Sequence, residues 1–246
     1  MPTMTTMKIE AGTDKSGAAE SYGALSFHGG QVVAICGPTG SGKTRLLSDM
    51  ERLSQGDSPT RRKVSLTGVD EKLLESGFAV GRISQTMQFF LDLSVDQFVE
   101  MHVAARSANT DKSAVINAAN NLAGEPMSGS QPLATLSGGQ ARALMVADLV
   151  LVANAPVLLI DEIENAGIDR HAALEFLVKE NRLVFLATHD PLIALRAHKR
   201  LILGEGAIKQ VIETSPGELQ TAAKLEATER EVKELRRRLR YGESLG

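Results

Sequence analysis

The feature that most constrains this chain is Gly37-Pro38-Thr39-Gly40-Ser41-Gly42-Lys43-Thr44, set directly after the apolar run Val32-Val33-Ala34-Ile35-Cys36. A short apolar run reads as a buried strand, and the pattern from Lys43 to Leu53 reads as a helix. A strand that passes through glycines into a helix is the context a phosphate-binding loop requires. Gly37, Gly40 and Gly42 let backbone N–H groups wrap phosphates at close range. The positive end of the following helix points at the same place. Lys43 is then suited to β/γ oxygens and the Thr44 hydroxyl to Mg²⁺. Pro38, Thr39 and Ser41 complete a spacing that matches this pattern at every fixed position.

A second apolar run, Val157-Leu158-Leu159-Ile160, ends on Asp161 and Glu162. A strand end of that kind lies at the carboxyl edge of a sheet, beside the loop. Asp161 there can hold the water shell of a metal, and Glu162 can orient or deprotonate an attacking water. A third run, Leu183–Ala187, leads to Thr188-His189-Asp190 at the same edge. Strand-like segments also fall at 64–67 and 78–84, with helical spacing at 94–106, 112–122, 137–153, 170–180 and from 191. Alternating strands and helices predict an α/β fold, with a mainly parallel sheet and helices on both faces.

Bulk properties narrow the function classes. A net charge of −3 carries no nucleic-acid footprint. Cys36 is the single cysteine, which excludes an internal disulfide, and its place in an apolar run predicts a buried strand residue. The polar segment from Met1 to Ala19 lacks the apolar core of a signal peptide. No apolar stretch reaches the roughly 20 residues that span a bilayer. The expectation is a cytoplasmic protein that reaches a membrane only through a partner.

Between the loop and the acidic strand stands Leu136-Ser137-Gly138-Gly139-Gln140, and Ile83-Ser84-Gln85-Thr86 lies upstream. With these four elements in this order, the chain resembles the ATP-binding cassette (ABC) ATPases over roughly 31–206. The resemblance implies a P-loop core with a small antiparallel N-terminal sheet and a helical subdomain. It divides the chain at 1–30, 31–93, 94–135, 136–212 and 213–246. It implies ATP as substrate and Mg²⁺ as cofactor, with Thr44, Gln85 and Asp161 near the metal. Glu162, Gln85 and His189 then form the catalytic set, His189 resembling the switch histidine that contacts the γ-phosphate. Ser137, Gly138, Gly139 and Gln140 resemble the signature that caps the nucleotide of a second subunit. Asp169 resembles the loop crossing that interface. The implied assembly is a two-fold dimer, an identical chain being the first expectation, with a further partner protein.

Several positions depart from the family pattern. Glu162 is followed by Ile163-Glu164-Asn165 where transporter cassettes usually have proline. That is similar to the iron–sulfur assembly cassette and to chromosome-structure and mismatch-repair ATPases. Tyr22 is the one tyrosine of the N-terminal segment, and it lies too near the loop to stack on adenine. Ala141-Arg142-Ala143 replaces an arginine-rich continuation, Asp148 stands where arginine is common, and the stretch from Asp161 to His189 is short. These departures favour an ATPase that remodels a soluble protein or metallocofactor complex. The alternative is the energy subunit of a membrane transporter, in which Phe89 and Phe90 would line the groove for a coupling helix. A DNA-linked cassette is weighed least, because no coiled-coil insertion is present, and no direct nucleic-acid contact is expected.

The tail from Ser215 to Tyr241 reads as a separate helix. Ser215-Pro216-Gly217-Glu218 is a capping box with proline at the first helical position. Leu225, Val232, Leu235 and Leu239 share one face. That face predicts packing on the chain's own domain, with a short coiled coil or a partner-docking helix as the competing reading.

Overall fold

The computed structural model describes residues 4–84, 89, 91–162 and 168–244. Three strands open the architecture: β1 (Thr6–Glu10), β2 (Ala24–His28) and β3 (Val32–Cys36). Helix α1 (Lys43–Glu51), β4 (Val64–Thr67), α2 (Glu71–Glu75) and β5 (Val80–Ile83) follow. A helical stretch comes next: α3 (Val95–Arg106), α4 (Lys112–Leu122) and α5 (Gly138–Asp148). Then come β6 (Val157–Asp161), α6 (Arg170–Leu177), β7 (Leu183–Ala187) and α7 (Pro191–Arg196). Strands β8 (Lys199–Gly204) and β9 (Ala207–Glu213) and the long helix α8 (Pro216–Arg240) complete the chain.

The central sheet has the order β5-β6-β7-β3-β8-β9. All its neighbours are parallel except the β8–β9 pair. A smaller antiparallel sheet runs β2-β1-β4. This is the α/β class expected, with its mainly parallel sheet and its antiparallel N-terminal sheet. Alternation along β3 divides the core, because successive side chains point to opposite faces. Val32 and Ala34 join the apolar residues of α3, α4 and α5, whereas Val33 and Ile35 join those of α1 and the small sheet. Strands β6 and β7 are buried along their whole length, as a sheet covered on both faces demands.

Three local departures have physical causes. Cys36 is half-buried, not buried, because β3 ends there and the chain turns out toward the loop. The helix read through 153 is α-helical only to Asp148, and Leu149–Ala153 widens into a π turn. Asn154, at φ 47°, stops it. Buried Arg182 serves its loosened end, donating to the Val150 carbonyl at 2.9 Å and to Asn154 Oδ1 at 2.6 Å. Strands β8 and β9 were not foreseen as strands. Arg200 sits buried in β8 beside Glu218 and 3.3 Å from Thr214, so a charged residue occupies a core position. Among the described residues no helix is long and apolar enough to cross a membrane.

Candidate functional site

Sheet order decides what meets at the loop. β7 lies between β6 and β3, with Asp161 opposite Ala187 and Ile35 also opposite Ala187. The residues just beyond these strands, Gly37, Glu162 and His189, therefore emerge side by side. Gly42 caps α1 at φ 106°, and a Cβ there would lie 2.9 Å from Gly206 Cα. The loop is thus held against the β8–β9 turn, and Gly206 N–H donates to the Ser41 carbonyl at 2.8 Å.

Lys43 is buried, and its ammonium donates to the carbonyl of Gly37 at 2.8 Å and of Pro38 at 3.4 Å. Its remaining contact is His189 Nε2 at 3.1 Å. No carboxylate among the described residues pairs with it. The Ser41 hydroxyl is also buried and lacks any hydrogen-bond partner. A buried cation and an orphaned donor in one cradle fit an anionic ligand, since either would otherwise cost stability. That chemistry fits a nucleotide's phosphates.

Thr44 Oγ1 lies 3.3 Å from Asp161 Oδ2, with Arg82 Nη2 at 3.9 Å on the same oxygen. Burial pushes the Asp161 carboxyl above its ordinary value, against the opposing pull of Arg82 and Thr44. A hydroxyl and one carboxylate could hold Mg²⁺ only with further oxygens, and no cluster of three ligating side chains exists among the described residues. The phosphates themselves would have to supply the rest.

Glu162 takes φ 54°, a left-handed conformation costly for a residue with a side chain. The N–H of Glu162 donates to the Ala187 carbonyl at 2.9 Å, which fixes the turn. Its carboxylate comes within 3.4 Å of His189 Nε2. The same nitrogen faces Lys43, and it cannot accept from the ammonium while donating to the carboxylate. Lys43 and Glu162 are therefore alternative partners of this nitrogen. Asp190 sets its position, accepting from Leu192 N–H at 2.8 Å and Ile193 N–H at 3.1 Å at the start of α7.

The signature residues stand apart from this cluster. Ser137 Oγ accepts from Gln140 N–H at 3.2 Å, and Gln140 Oε1 accepts from Ser137 N–H at 2.9 Å. This capping box leaves Gly138 and Gly139 in the first turn of α5. Asp169 caps α6 through Ala172 N–H and meets Lys233 of α8 at 3.6 Å. Gln85 lies outside the described residues.

Two contacts escaped sequence reasoning. Lys15 Nζ donates to the Gly40 carbonyl at 2.8 Å, so a lysine stands at the mouth of the loop. Arg142 reaches from α5 to the Glu162 carbonyl at 3.3 Å. Neither carries a local signal, because each partner is distant in sequence. Tyr22 is committed elsewhere. Its hydroxyl donates to Glu20 at 2.8 Å, and burial, with Glu20 adding to it, pushes that hydroxyl far up.

A groove of about 370 Å³ opens on the α3–α5 side. Phe89 meets Phe98 edge-on at 4.9 Å, and His102 pairs with Asp148 at 3.0 Å in its wall. Arg106 stacks over Phe78 at 3.4 Å nearby.

A family model described as ABC transporter matches residues 23–165. This chain belongs to the ABC transporter family and is an ABC ATPase. An uncharacterized ABC transporter ATP-binding protein of Methanocaldococcus jannaschii is 37% identical over 243 residues, covering 96% of this chain and 93% of that protein. The thiamine import ATP-binding protein ThiQ of Brucella suis is 32% identical over 200 residues, covering 74% of this chain and 80% of that protein. Among solved structures, a dimeric ATP-binding cassette bound to ADP and Pi superposes with a TM-score of 0.63 at 20% identity. The match spans 85% of this ABC chain and 99% of that one, a likeness of fold.

Proposed function

We propose that this chain binds and hydrolyses Mg-ATP at a two-fold interface and passes the resulting motion to a membrane partner as the energy subunit of a transporter. The observation that carries the hydrolytic half is buried Lys43 in contact with His189, which meets Glu162, while the next residue, Thr44, meets Asp161. In this reading the loop N–H groups from Gly37 to Thr44 and the Lys43 ammonium bind the phosphates. Thr44, Asp161 and Gln85 would hold Mg²⁺, which would supply charge neutralisation to the phosphoryl group. Glu162 takes the proton of the attacking water, and His189 exchanges its Glu162 contact for the γ-phosphate. Ser137 and the N–H groups of Gly138, Gly139 and Gln140 meet the nucleotide of a second subunit, and Asp169 crosses to it.

The names of the relatives support the membrane partner, and so does the groove beside Phe89 and Phe98, which suits a short helix. A remodelling ATPase for a soluble protein or metallocofactor complex is the second reading, supported by Ile163 in place of proline. Tagged Glu162→Gln protein isolated from its host with ATP and Mg²⁺ after mild detergent extraction separates them. Recovery with a polytopic membrane protein is expected. Recovery with soluble enzymes or scaffold proteins alone would replace the transporter reading.

Lys15 and Tyr22 give a prediction about the nucleotide base. With Tyr22 held by Glu20 and Lys15 over the loop, phosphate contacts dominate and adenine stacking does not. Tyr22→Phe is expected to leave ATP affinity unchanged. Lys15→Ala should weaken ATP and GTP alike, by about two- to fivefold for one exposed charge contact. Isothermal titration with both nucleotides checks this. A selective loss for ATP would place Lys15 at the base instead.

A further inference from the structure

The helix α8 has two halves of different character. Its first half is docked: Ala222 is buried, Arg200 pairs with Glu218, and Arg196 pairs with Glu226. Beyond that point the apolar face is about half exposed, with Val232 39%, Leu235 43% and Leu239 58% open to solvent. These three apolar residues line up on a helix of 25 residues as a partly exposed seam, whose edge at Val232 borders a groove with Ile168 and Leu192.

The spacing of that seam is a heptad. Leu225, Val232 and Leu239 fall at a positions, and Thr228 and Leu235 at d positions. Within α8 the flanking g positions are Lys224, Glu231 and Arg238, and the e positions Glu229 and Arg236. In a parallel pair of identical helices a g residue meets the partner's e residue five positions on. Both such meetings that fall within α8 join opposite charges: Lys224 with Glu229, and Glu231 with Arg236. Arg238, the last g position, instead holds Glu243, which lies past the end of its own helix, at 2.8 Å.

We infer that the distal half of α8 pairs in parallel with the same helix of a second copy of this chain. The inference rests on the proposed two-fold dimer. A parallel pair has its two-fold axis along the seam, so one axis can serve both contacts. The position agrees, since Lys233 lies 3.6 Å from Asp169, the residue read as crossing the subunit boundary. About two heptads are too few to associate alone. Tethering by the two nucleotide-bound domains raises their effective concentration, so the helices join when ATP closes the dimer and part when it opens. The tail thereby reports, and adds to, closure of the catalytic domains.

The test uses the full chain carrying Cys36→Ser, Glu162→Gln and either Leu235→Cys or Leu239→Cys. Light scattering measures mass, and mild oxidation measures cross-linking. With ATP and Mg²⁺ the expected result is a dimer that cross-links at both positions, and without nucleotide neither. An antiparallel pair would set the Leu239 positions far apart, so failure at that position alone overturns the parallel arrangement. Glu231→Arg should slow cross-linking roughly fivefold, from two like-charge contacts per dimer, and adding Arg236→Glu should restore it. Dimer mass with no cross-link at either position overturns the pairing while the nucleotide-driven dimer stands. Monomer mass overturns that dimer itself.

Discussion

Glu162→Gln protein should bind Mg-ATP as tightly as the parent and turn it over about 10²- to 10⁴-fold more slowly, the range for removing a general base. The substitution is nearly isosteric, so the φ 54° turn and its hydrogen bond to the Ala187 carbonyl stay as they are. What goes is the charge that accepts a proton from water. The trapped ATP state should then run as a dimer in size-exclusion chromatography with ATP and Mg²⁺. Lys43→Ala is the complement: it removes the cation that faces the phosphates, and ATP binding itself should be lost. Rapid hydrolysis by Glu162→Gln would assign the base elsewhere. Tight ATP binding by Lys43→Ala would sink the loop assignment.

Arg62→Ala should destabilise the fold by about 3–5 kcal/mol, the cost of leaving buried carboxylates unpaired. For a chain of this size that lowers the melting temperature by roughly 10–15 °C. Arg62 is fully buried and holds Glu20 at 2.5 Å, Asp49 at 3.4 Å and the Gly206 carbonyl at 2.9 Å. Glu20 in turn accepts from the N–H groups of Gly12 at 2.7 Å and Ile208 at 2.5 Å. One guanidinium thus ties together the β1–β2 connection, the end of α1 and the β8–β9 hairpin. Burial alone would raise the Glu20 carboxyl. The contacts to Arg62, Ile208 and Gly12 outweigh it and hold the group below its ordinary value. The stabilisation is therefore full above the ordinary carboxylate range and disappears as pH falls through the lowered value. Circular dichroism melts from pH 7 downward should show parent and Arg62→Ala converging in acid. A difference of under about 1 kcal/mol at pH 7 would mean that the pair only offsets its own desolvation.

Much of the sheet's carboxyl edge was legible because its parts are local. The runs at 32–36, 157–161 and 183–187 are apolar throughout, as strands covered on both faces must be, and each ends in the residues that meet at the loop. Lys43, Asp161, Glu162 and His189 could be placed from that alone. Lys15 could not, since its partner Gly40 belongs to another segment and the Gly12–Glu20 connection has no periodicity. β8 was hidden by Lys199 and Arg200 at its start, whose charges are answered by Glu213 and Glu218 further along the chain. The π turn after α5 escaped for a related reason. Leu149–Ala153 is apolar enough to continue a helix, and only Arg182, arriving from the far side of β6, makes the wider turn affordable.

The reach of Arg142 to the Glu162 carbonyl makes the signature helix a lever. Ser137 stands at the start of α5, and Arg142 lies little more than one turn along it. In the proposed dimer, a nucleotide held by the neighbour presses on the first of these residues and is felt by the second, on the strand that carries the acid. Each subunit's chemistry then depends on whether its partner is loaded. Where loading one site also alters the affinity of the other, linkage makes that effect on binding mutual. A dimer with one crippled acid would report on both halves at once.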